Sequence, residues 1–363
     1  MKPQHLLLIF IYLISFLSNA QTPINEEKFV TIGGIEQWVT IHGDDSSKPV
    51  LLFLHGGPGS TMSQYDDAIY GDWEKDFILV QWDQRGAGRT FGRNVPADYD
   101  ENYWIENPLT VAQMTDDGIA LSEYLIERLE KQKIMILGTS WGSILGAKMA
   151  LNRPALFHAY VGHAQMVSPA KDLIMAYHKT HKIAEKQKDL KSIEKLDSIG
   201  PPPYENAQNT GKFFRIIKQY EREHSTPAPE SWWKLAPAYD NETDSRHRYD
   251  GDDYSFVYFV GHKKMGITAM NATVDFLEDG LKFEIPVYLI QGAEDILTPK
   301  EITKAYFAQL KAPKKEYFLL PNAAHGHNQN VVDTQLRILK EYIFQSRYPN
   351  ARTIRSSRGY GGR

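Results

Sequence analysis

Residues 133–150, KIMILGTSWGSILGAKMA, constrain this chain more than any other stretch. Apolar residues 134–137 predict a buried strand, and the apolar residues after Gly142 recur at helical spacing. The G-x-S-x-G motif between them therefore lies at a sharp strand-to-helix turn, the context of a nucleophile elbow. A side chain on Gly138 or Gly142 would collide where the turn doubles back. The turn exposes the Ser140 hydroxyl beside helix N-terminal N–H groups, which favour developing negative charge. The alternative interpretation is a Gly/Ser turn without chemistry.

Short apolar runs alternate with helical patterns along most of the chain. Strands are predicted at residues 50–54, 77–82, 134–137, 158–162, 285–290 and 315–320, helices at 109–131, 299–310 and 331–348, and a hairpin at 29–41 that turns on Gly33-Gly34. Continuous apolar strands are typical of parallel sheets buried on both faces. The pattern predicts an α/β fold whose mostly parallel central sheet is flanked by helices.

The alternation breaks between residues 167 and 283. This segment is polar and aromatic, and it predicts helices at 172–190, 212–224 and 254–277. No buried parallel strand is expected there, so we interpret the segment as a helical cap inserted into the sheet domain. The predicted division is a signal peptide at 1–20, sheet domain at 21–166 and 284–350, the cap at 167–283, and a disordered tail at 351–363.

A serine nucleophile needs a base and a carboxylate that orients the base. In open α/β sheets the working residues follow the carboxyl ends of strands. Asp295 and His325 each lie five residues beyond a predicted strand, and they follow Ser140 in the order expected for this architecture. We therefore predict a Ser140, Asp295 and His325 triad. Glu294 and His327 are the alternative acid and base, and Asp295 could instead cap the helix that follows it.

An oxyanion requires two backbone donors. The first is predicted to be the N–H of Trp141, which follows the nucleophile. The second is predicted to be the N–H of Gly57, because the glycine-rich run after strand 50–54 lets the backbone approach a substrate closely. We interpret His55 as a structural residue of this loop, and Asp83 and Arg85 as a charged brace beneath the turn.

Charge and cysteine content exclude several classes of protein. Lys and Arg number 41 against 45 Asp and Glu, a net charge of −4, so nothing indicates nucleic acid or an anionic membrane as a partner. The chain has no cysteine, which excludes disulfides, thiolate metal sites and a cysteine nucleophile.

The first 20 residues predict a secretory signal peptide. Lys2 precedes an apolar core at residues 6–17, and Ser18 and Ala20 are the small residues expected before a cleavage site. The apolar core is too short to span a bilayer as a helix. We expect an exported protein, periplasmic or secreted, with no stable membrane anchor after cleavage.

Three motifs, His55-Gly-Gly-Pro-Gly59, Asp83-Gln-Arg-Gly-Ala-Gly88 and Gly138-Thr-Ser-Trp-Gly-Ser143, resemble the prolyl aminopeptidase (proline iminopeptidase) family. These proteins are α/β-hydrolase serine peptidases of family S33. The resemblance spans roughly residues 29–345 and implies the α/β-hydrolase fold. It also implies Ser140 as nucleophile, Asp295 as acid, His325 as base, and Gly57 and Trp141 as oxyanion donors. Ala324 stands where the family usually has glycine.

The resemblance implies a cofactor-free enzyme without a metal that removes N-terminal residues, often proline, from short peptides. Acidic residues of the cap bind the substrate amine in this family. The family's usual Trp-Glu pair is replaced here, because Lys234 follows Trp233. The candidates for the amine-binding carboxylate are Glu205, Glu221, Glu223, Glu230 and Glu242, among which the sequence does not choose.

The predicted function is a serine aminopeptidase of the proline type, acting on a small peptide substrate. One alternative is a carboxylesterase or other small-molecule acyl hydrolase with the same triad. Another is a catalytically silent binding protein on this fold, against which the filled triad positions argue. The oligomeric state does not follow from the sequence.

Overall fold

The computed structural model describes residues 22–347. The predicted signal peptide at 1–20 and the predicted disordered tail at 351–363 lie outside these residues. Within 22–347, no helix combines the length and apolar character needed to cross a membrane.

Eight strands form one sheet. They are β1 (Ile24–Ile32), β2 (Ile35–Gly43), β3 (Val50–Leu54), β4 (Ile78–Trp82), β5 (Ile134–Thr139), β6 (Phe157–His163), β7 (Val287–Gly292) and β8 (Lys315–Leu320). Their order across the sheet is β1-β2-β4-β3-β5-β6-β7-β8. The first two pairings are antiparallel and the other five are parallel. The predicted mostly parallel sheet is confirmed, including the hairpin that turns at Gly33-Gly34.

Twelve α-helices accompany the sheet within residues 22–347. They are α1 (Asp66–Tyr70), α2 (Gly88–Asn94), α3 (Glu101–Glu106), α4 (Val111–Arg128), α5 (Trp141–Asn152), α6 (Pro169–Gln187), α7 (Leu190–Ile199), α8 (Ala207–His224), α9 (Glu242–Val260), α10 (Phe276–Asp279), α11 (Lys300–Gln309) and α12 (Gln329–Arg347). Helices α4, α11 and α12 were each predicted to within three residues at either end. Helices α1, α2 and α3 were not predicted, because each is shorter than the periodicity that identifies a helix.

The central strands are buried on both faces, as their apolar runs predict. Val50, Leu52 and Leu54 of β3 belong to one hydrophobic cluster, and Leu51 and Phe53 belong to another. Successive side chains of a strand point to opposite faces, so the two clusters lie on the two sides of the sheet. This burial holds the carboxyl ends of the parallel strands at one rigid edge.

The segment between β6 and β7 contributes helices α6 to α10 and no strand to the sheet. The prediction of a helix at 254–277 is wrong. Helix α9 begins at Glu242 and ends before Gly261, whose φ of +85° stops it, and two 3-10 turns follow. The helix predicted at 172–190 corresponds to α6, which ends at Gln187 because Lys188 adopts a left-handed φ of 59°. Helix α7, which begins two residues later, was not predicted.

Candidate active site

Ser140 stands at the turn between β5 and α5, in a conformation that few non-glycine residues adopt. Its φ is 55° and its ψ is −120°, and its N–H donates to His163 O at 3.0 Å. A Cβ added to Gly138 would lie 2.2 Å from Gly142 O, and one added to Gly142 would lie 1.9 Å from Leu54 O. Only glycine fits at either position, as the sequence predicted, and the strained turn lifts the Ser140 hydroxyl above the sheet edge.

The structure brings Ser140, His325 and Asp295 together. His325 Nε2 lies 2.9 Å from Ser140 Oγ. On the other side of the ring, His325 Nδ1 lies 3.2 Å from Asp295 Oδ2 and 3.3 Å from Asp295 Oδ1. Asp295 follows β7 and His325 follows β8, so three loops beyond the carboxyl ends of parallel strands supply the three side chains.

Asp295 is held by donors that the sequence did not identify. The carboxylate is 1% exposed, and it accepts hydrogen bonds from the Thr298 N–H at 2.8 Å and the Thr298 hydroxyl at 2.6 Å. Gln291 Nε2 donates to it at 3.1 Å. These donors satisfy a buried charge and fix the orientation of the carboxylate toward His325.

The imidazole of His325 is biased toward its protonated form. Burial works against the charge, but the Asp295 carboxylate, through its charge and hydrogen bond, and the charge of Glu221 together raise the pKa of His325 above its usual 6.5. A ring in this setting can accept a proton from Ser140 and retain it while the carbonyl is attacked.

The two alternatives for acid and base occupy other positions. Glu294 was the alternative acid, but the carboxylate that contacts His325 belongs to its neighbour Asp295. His327 lies 3.4 Å from Thr139 Oγ1 and packs against the ring of His163 at 4.9 Å between centroids. Burial, with repulsion from His325, lowers the pKa of His327 to about 4, so this ring is neutral at physiological pH.

The loop after β3 lies directly against Ser140. A Cβ on Gly56 would stand 3.3 Å from Ser140 Cβ, and Gly57 has a φ of +111°, which favours glycine. Trp141 is the first residue of α5, so its N–H has no acceptor within the helix. Both predicted oxyanion donors thus belong to backbone segments that border Ser140.

Gln84, a residue of the Asp83–Gly88 motif to which the sequence analysis assigned no role, links these two segments. Its Nε2 donates to His55 O at 3.0 Å, and its Oε1 accepts from Trp141 Nε1 at 2.9 Å. His55 Nε2 accepts from the Gln84 N–H at 3.2 Å, and His55 Nδ1 donates to Gly56 O at 2.8 Å. Burial lowers the pKa of His55 to about 4, consistent with a neutral, structural ring.

The charged brace expected from Asp83 and Arg85 has different partners. Arg85 Nε donates to Asp117 at 2.7 Å. Asp83 accepts from Ser63 Oγ at 2.7 Å and from the Arg89 N–H at 2.9 Å. The two residues therefore stabilise separate connections beside the turn.

Among the five glutamates proposed from the sequence, Glu221 is the buried one. It projects from α8 with 6% exposure, and its Oε1 accepts from the N–H groups of Ile296 at 2.8 Å and Leu297 at 3.3 Å, directly after Asp295. Burial and repulsion from Asp295 raise the pKa of Glu221 to about 7, against the opposing influence of His325. The other four are solvent-exposed: Glu205, Glu223, Glu230 and Glu242.

A cleft opens over the triad between the sheet edge and helices α8 and α9. An inner cavity of about 420 Å³ is lined by Ser140, His325 and apolar side chains that include Phe214, Phe256 and Phe259. An outer cavity of about 1130 Å³ shares Lys218, Asp252 and His325 with the inner one and includes Glu221 and Trp233. Within residues 22–347, the side chains placed to share a metal ion are His42, Asp67 and Glu74, none of which lines this cleft.

Comparisons with known proteins identify the family of the chain. Residues 45–328 match the family described as serine aminopeptidase, S33. The chain is 29% identical over 299 residues to a probable aminopeptidase, YbaC, of Bacillus subtilis (strain 168), which covers 82% of this chain and 90% of that protein. It is 22% identical over 324 residues to a proline iminopeptidase of Clostridioides difficile (strain 630), covering 87% of this chain and 97% of that protein.

Solved structures agree with the predicted fold. The crystal structure of a proline iminopeptidase of Mycobacterium smegmatis superposes with a TM-score of 0.61 at 17% identity, covering 88% of this chain and 100% of that one. The likeness confirms the α/β-hydrolase fold.

Proposed function

Because the chain belongs to the S33 serine aminopeptidase family, whose members it matches over residues 45–328, we propose that it is an exported aminopeptidase. It releases N-terminal residues, proline among them, from short peptides. The single observation that carries the proposal is the position of His325, which contacts Ser140 Oγ with one ring nitrogen and Asp295 with the other. The export rests on the signal-peptide pattern of residues 1–20.

The geometry supports the following order of events. His325 Nε2 accepts the Ser140 proton as Ser140 Oγ attacks the carbonyl carbon of the first peptide bond. The N–H groups of Gly57 and Trp141 donate to the resulting oxyanion. His325 then gives the proton to the departing amine, and an acyl-enzyme remains on Ser140. Water, activated by His325, releases the N-terminal residue and regenerates the hydroxyl.

Glu221 is the carboxylate that receives the substrate ammonium in this proposal. Its burial beside the triad, its place on the cleft wall and its pKa of about 7 support this role. An ammonium entering the cleft stabilises the ionised form of Glu221, and the pair is worth most where water is excluded. A substrate whose amine is acylated loses this contact.

Three chromogenic substrates test the proposal: Pro-4-nitroanilide, its N-acetylated form and 4-nitrophenyl acetate. We expect hydrolysis of the free-amine anilide with kcat/KM at least about 100-fold above that of the acetylated compound, the value of a lost charge-assisted contact. Equal rates for the two anilides would contradict the role of the amine. Hydrolysis of the ester alone would identify a carboxylesterase or other acyl hydrolase that uses the same three residues.

A further inference from the structure

Helix α8 turns a row of basic side chains toward the cleft. Arg215 and Lys218 line the inner cavity, and Lys218 and Arg222 line the outer one. Their spacing of three and four residues places them on one face of the helix. Within residues 22–347, none of the three has a carboxylate oxygen within 4.0 Å.

Lys218 is the member of this row nearest the reacting groups. It borders both cavities, and its ammonium repels the protonated form of His325. The Arg215 guanidinium folds back along the helix, where its Nη1 would lie 3.6 Å from a Cβ on Gly211, another residue of the inner cavity. The surrounding wall is largely aromatic and apolar, with Phe214 and Phe256 on it. Arg215 and Lys218 are themselves exposed at the mouth of the cleft, so an anion bound beside this wall would face two cations there.

Glu221 follows Lys218 on the same helix, close enough for one small peptide to reach both side chains. Lys218 and Glu221 are three residues apart on α8, so their Cβ atoms are roughly 5–6 Å apart. A dipeptide spans roughly 7 Å between its ends. Glu221 is engaged by the N–H groups of Ile296 and Leu297 rather than by Lys218, which leaves the ammonium of Lys218 available to a ligand.

We propose that Lys218, assisted by Arg215, binds the C-terminal carboxylate of the substrate, so that the enzyme prefers dipeptides with a free C-terminus. The proposal rests on the proposed aminopeptidase function. Glu221 then holds the ammonium end of the dipeptide and Lys218 holds its carboxylate end. The peptide bond between the two substrate residues lies over Ser140. Asp252 of α9, which accepts from Ser60 Oγ at 2.8 Å, also lines both cavities and disfavours an anion on the α9 side of the cleft.

The test compares Pro-Ala with its C-terminal amide, Pro-Ala-NH2, on the full chain. We expect the wild type to prefer the acid by about 10-fold or more in kcat/KM, mostly through KM, because the amide cannot form the charge-assisted hydrogen bond with Lys218. Lys218→Met is expected to reduce the ratio of acid to amide to near 1, and Arg215→Met to reduce it partially.

Lys212→Met is the matched control. Lys212 lies on the same helix, but its Nζ donates to Asn209 Oδ1 at 3.3 Å and it lines neither cavity, so its loss should leave the ratio unchanged. Equal kcat/KM for acid and amide in the wild type, or an equal loss on both in Lys218→Met, would overturn the carboxylate subsite. Pro-4-nitroanilide separates the two proposals: if it is cleaved while the acid is not preferred, only the subsite fails. If the anilide, the amide and the acid all resist hydrolysis, the proposed aminopeptidase function itself is contradicted.

Discussion

The sheet and the helical segment at 167–283 hold their functional groups in different ways. Ser140, Asp295 and His325 stand beyond the carboxyl ends of parallel strands, and Ser140 lies on a turn where Gly138 and Gly142 tolerate no Cβ. Glu221 and its basic neighbours project as side chains from one helix, α8, without special backbone geometry. The backbone of the sheet thus positions the proposed reacting groups, whereas the groups that we propose to bind the two ends of the substrate are side chains of α8. Substitutions in the two regions should therefore have separable effects.

The largest expected effect is that of Ser140→Ala. The variant keeps Cβ at the strained turn but lacks the attacking oxygen, so kcat should fall about 10³-fold or more on peptide, anilide and ester alike. Steady-state kinetics on Pro-4-nitroanilide and 4-nitrophenyl acetate measure this loss, with the melting temperature as a check on folding.

Ser198→Ala provides the comparison for Ser140→Ala. Ser198 is exposed on α7, and its hydroxyl donates only to Lys195 O, at 2.8 Å, so kcat should be unchanged. Retention of ester hydrolysis in Ser140→Ala would show that anilides and esters do not share this nucleophile. The assignment of the reacting groups to the sheet and of substrate binding to α8 would then no longer hold.

The difference between the sheet and the helical segment also explains which features could be predicted from the sequence. Continuous apolar runs marked the central strands, and the rule that reactive residues follow strand ends selected Asp295 and His325. Helix α9 was misplaced because its first half, residues 242–253, is dominated by charged residues and shows no apolar stripe. Its buried face becomes evident only where Tyr254, Val257 and Tyr258 pack into the core.

Glu221 illustrates why side-chain roles in this segment are harder to infer. Its burial depends on Ile296 and Leu297, which are 75 and 76 residues away in sequence. A signal was present nevertheless. Phe213, Ile217 and Tyr220 form the buried stripe of α8, and Glu221 lies at its border, four residues after Ile217. A carboxylate at the edge of an apolar stripe was the feature that distinguished it from the four exposed candidates.

The second expected effect is smaller and selective. Glu221→Gln keeps an oxygen for the Ile296 and Leu297 N–H groups but removes the charge, so kcat/KM on free-amine substrates should fall about 10²-fold. Ester hydrolysis should change only a few fold. The measurement is the ratio of kcat/KM on Pro-4-nitroanilide to that on 4-nitrophenyl acetate. An equal loss on both would assign Glu221 to support of the triad rather than to the amine.

The pH profile provides an independent check on Glu221. Protonation of His325 abolishes the base on every substrate, whereas protonation of Glu221, whose pKa is about 7, additionally weakens the amine contact of free-amine substrates. As pH falls below about 7, log kcat/KM should therefore decline more steeply for the free-amine anilide than for the ester. Glu221→Gln should make the two slopes equal, and unchanged slopes would contradict the assignment.

The smallest expected effect concerns the connection between the two regions. Arg89 on α2 donates to Asp244 of α9 through Nε and Nη2, each at 2.8 Å, and its guanidinium lies 3.8 Å from the Tyr239 ring centroid. Arg89→Met leaves the mostly buried Asp244 carboxylate without this partner. We expect a cost of about 1–3 kcal/mol in the free energy of unfolding, seen as a lower melting temperature.

Arg93→Met is the control for Arg89→Met, because it removes a guanidinium from the same helix. The Arg93 guanidinium pairs with Glu36, and both side chains are about half exposed. A surface pair of this kind contributes about 0–1 kcal/mol, so its loss should barely change the melting temperature.

If the helical segment depends on Arg89 for its placement, Arg89→Met should also raise KM for Pro-4-nitroanilide while ester turnover stays near the wild-type value. An equal fall in ester turnover would show that the contact supports the sheet, and the two regions would then act as one unit.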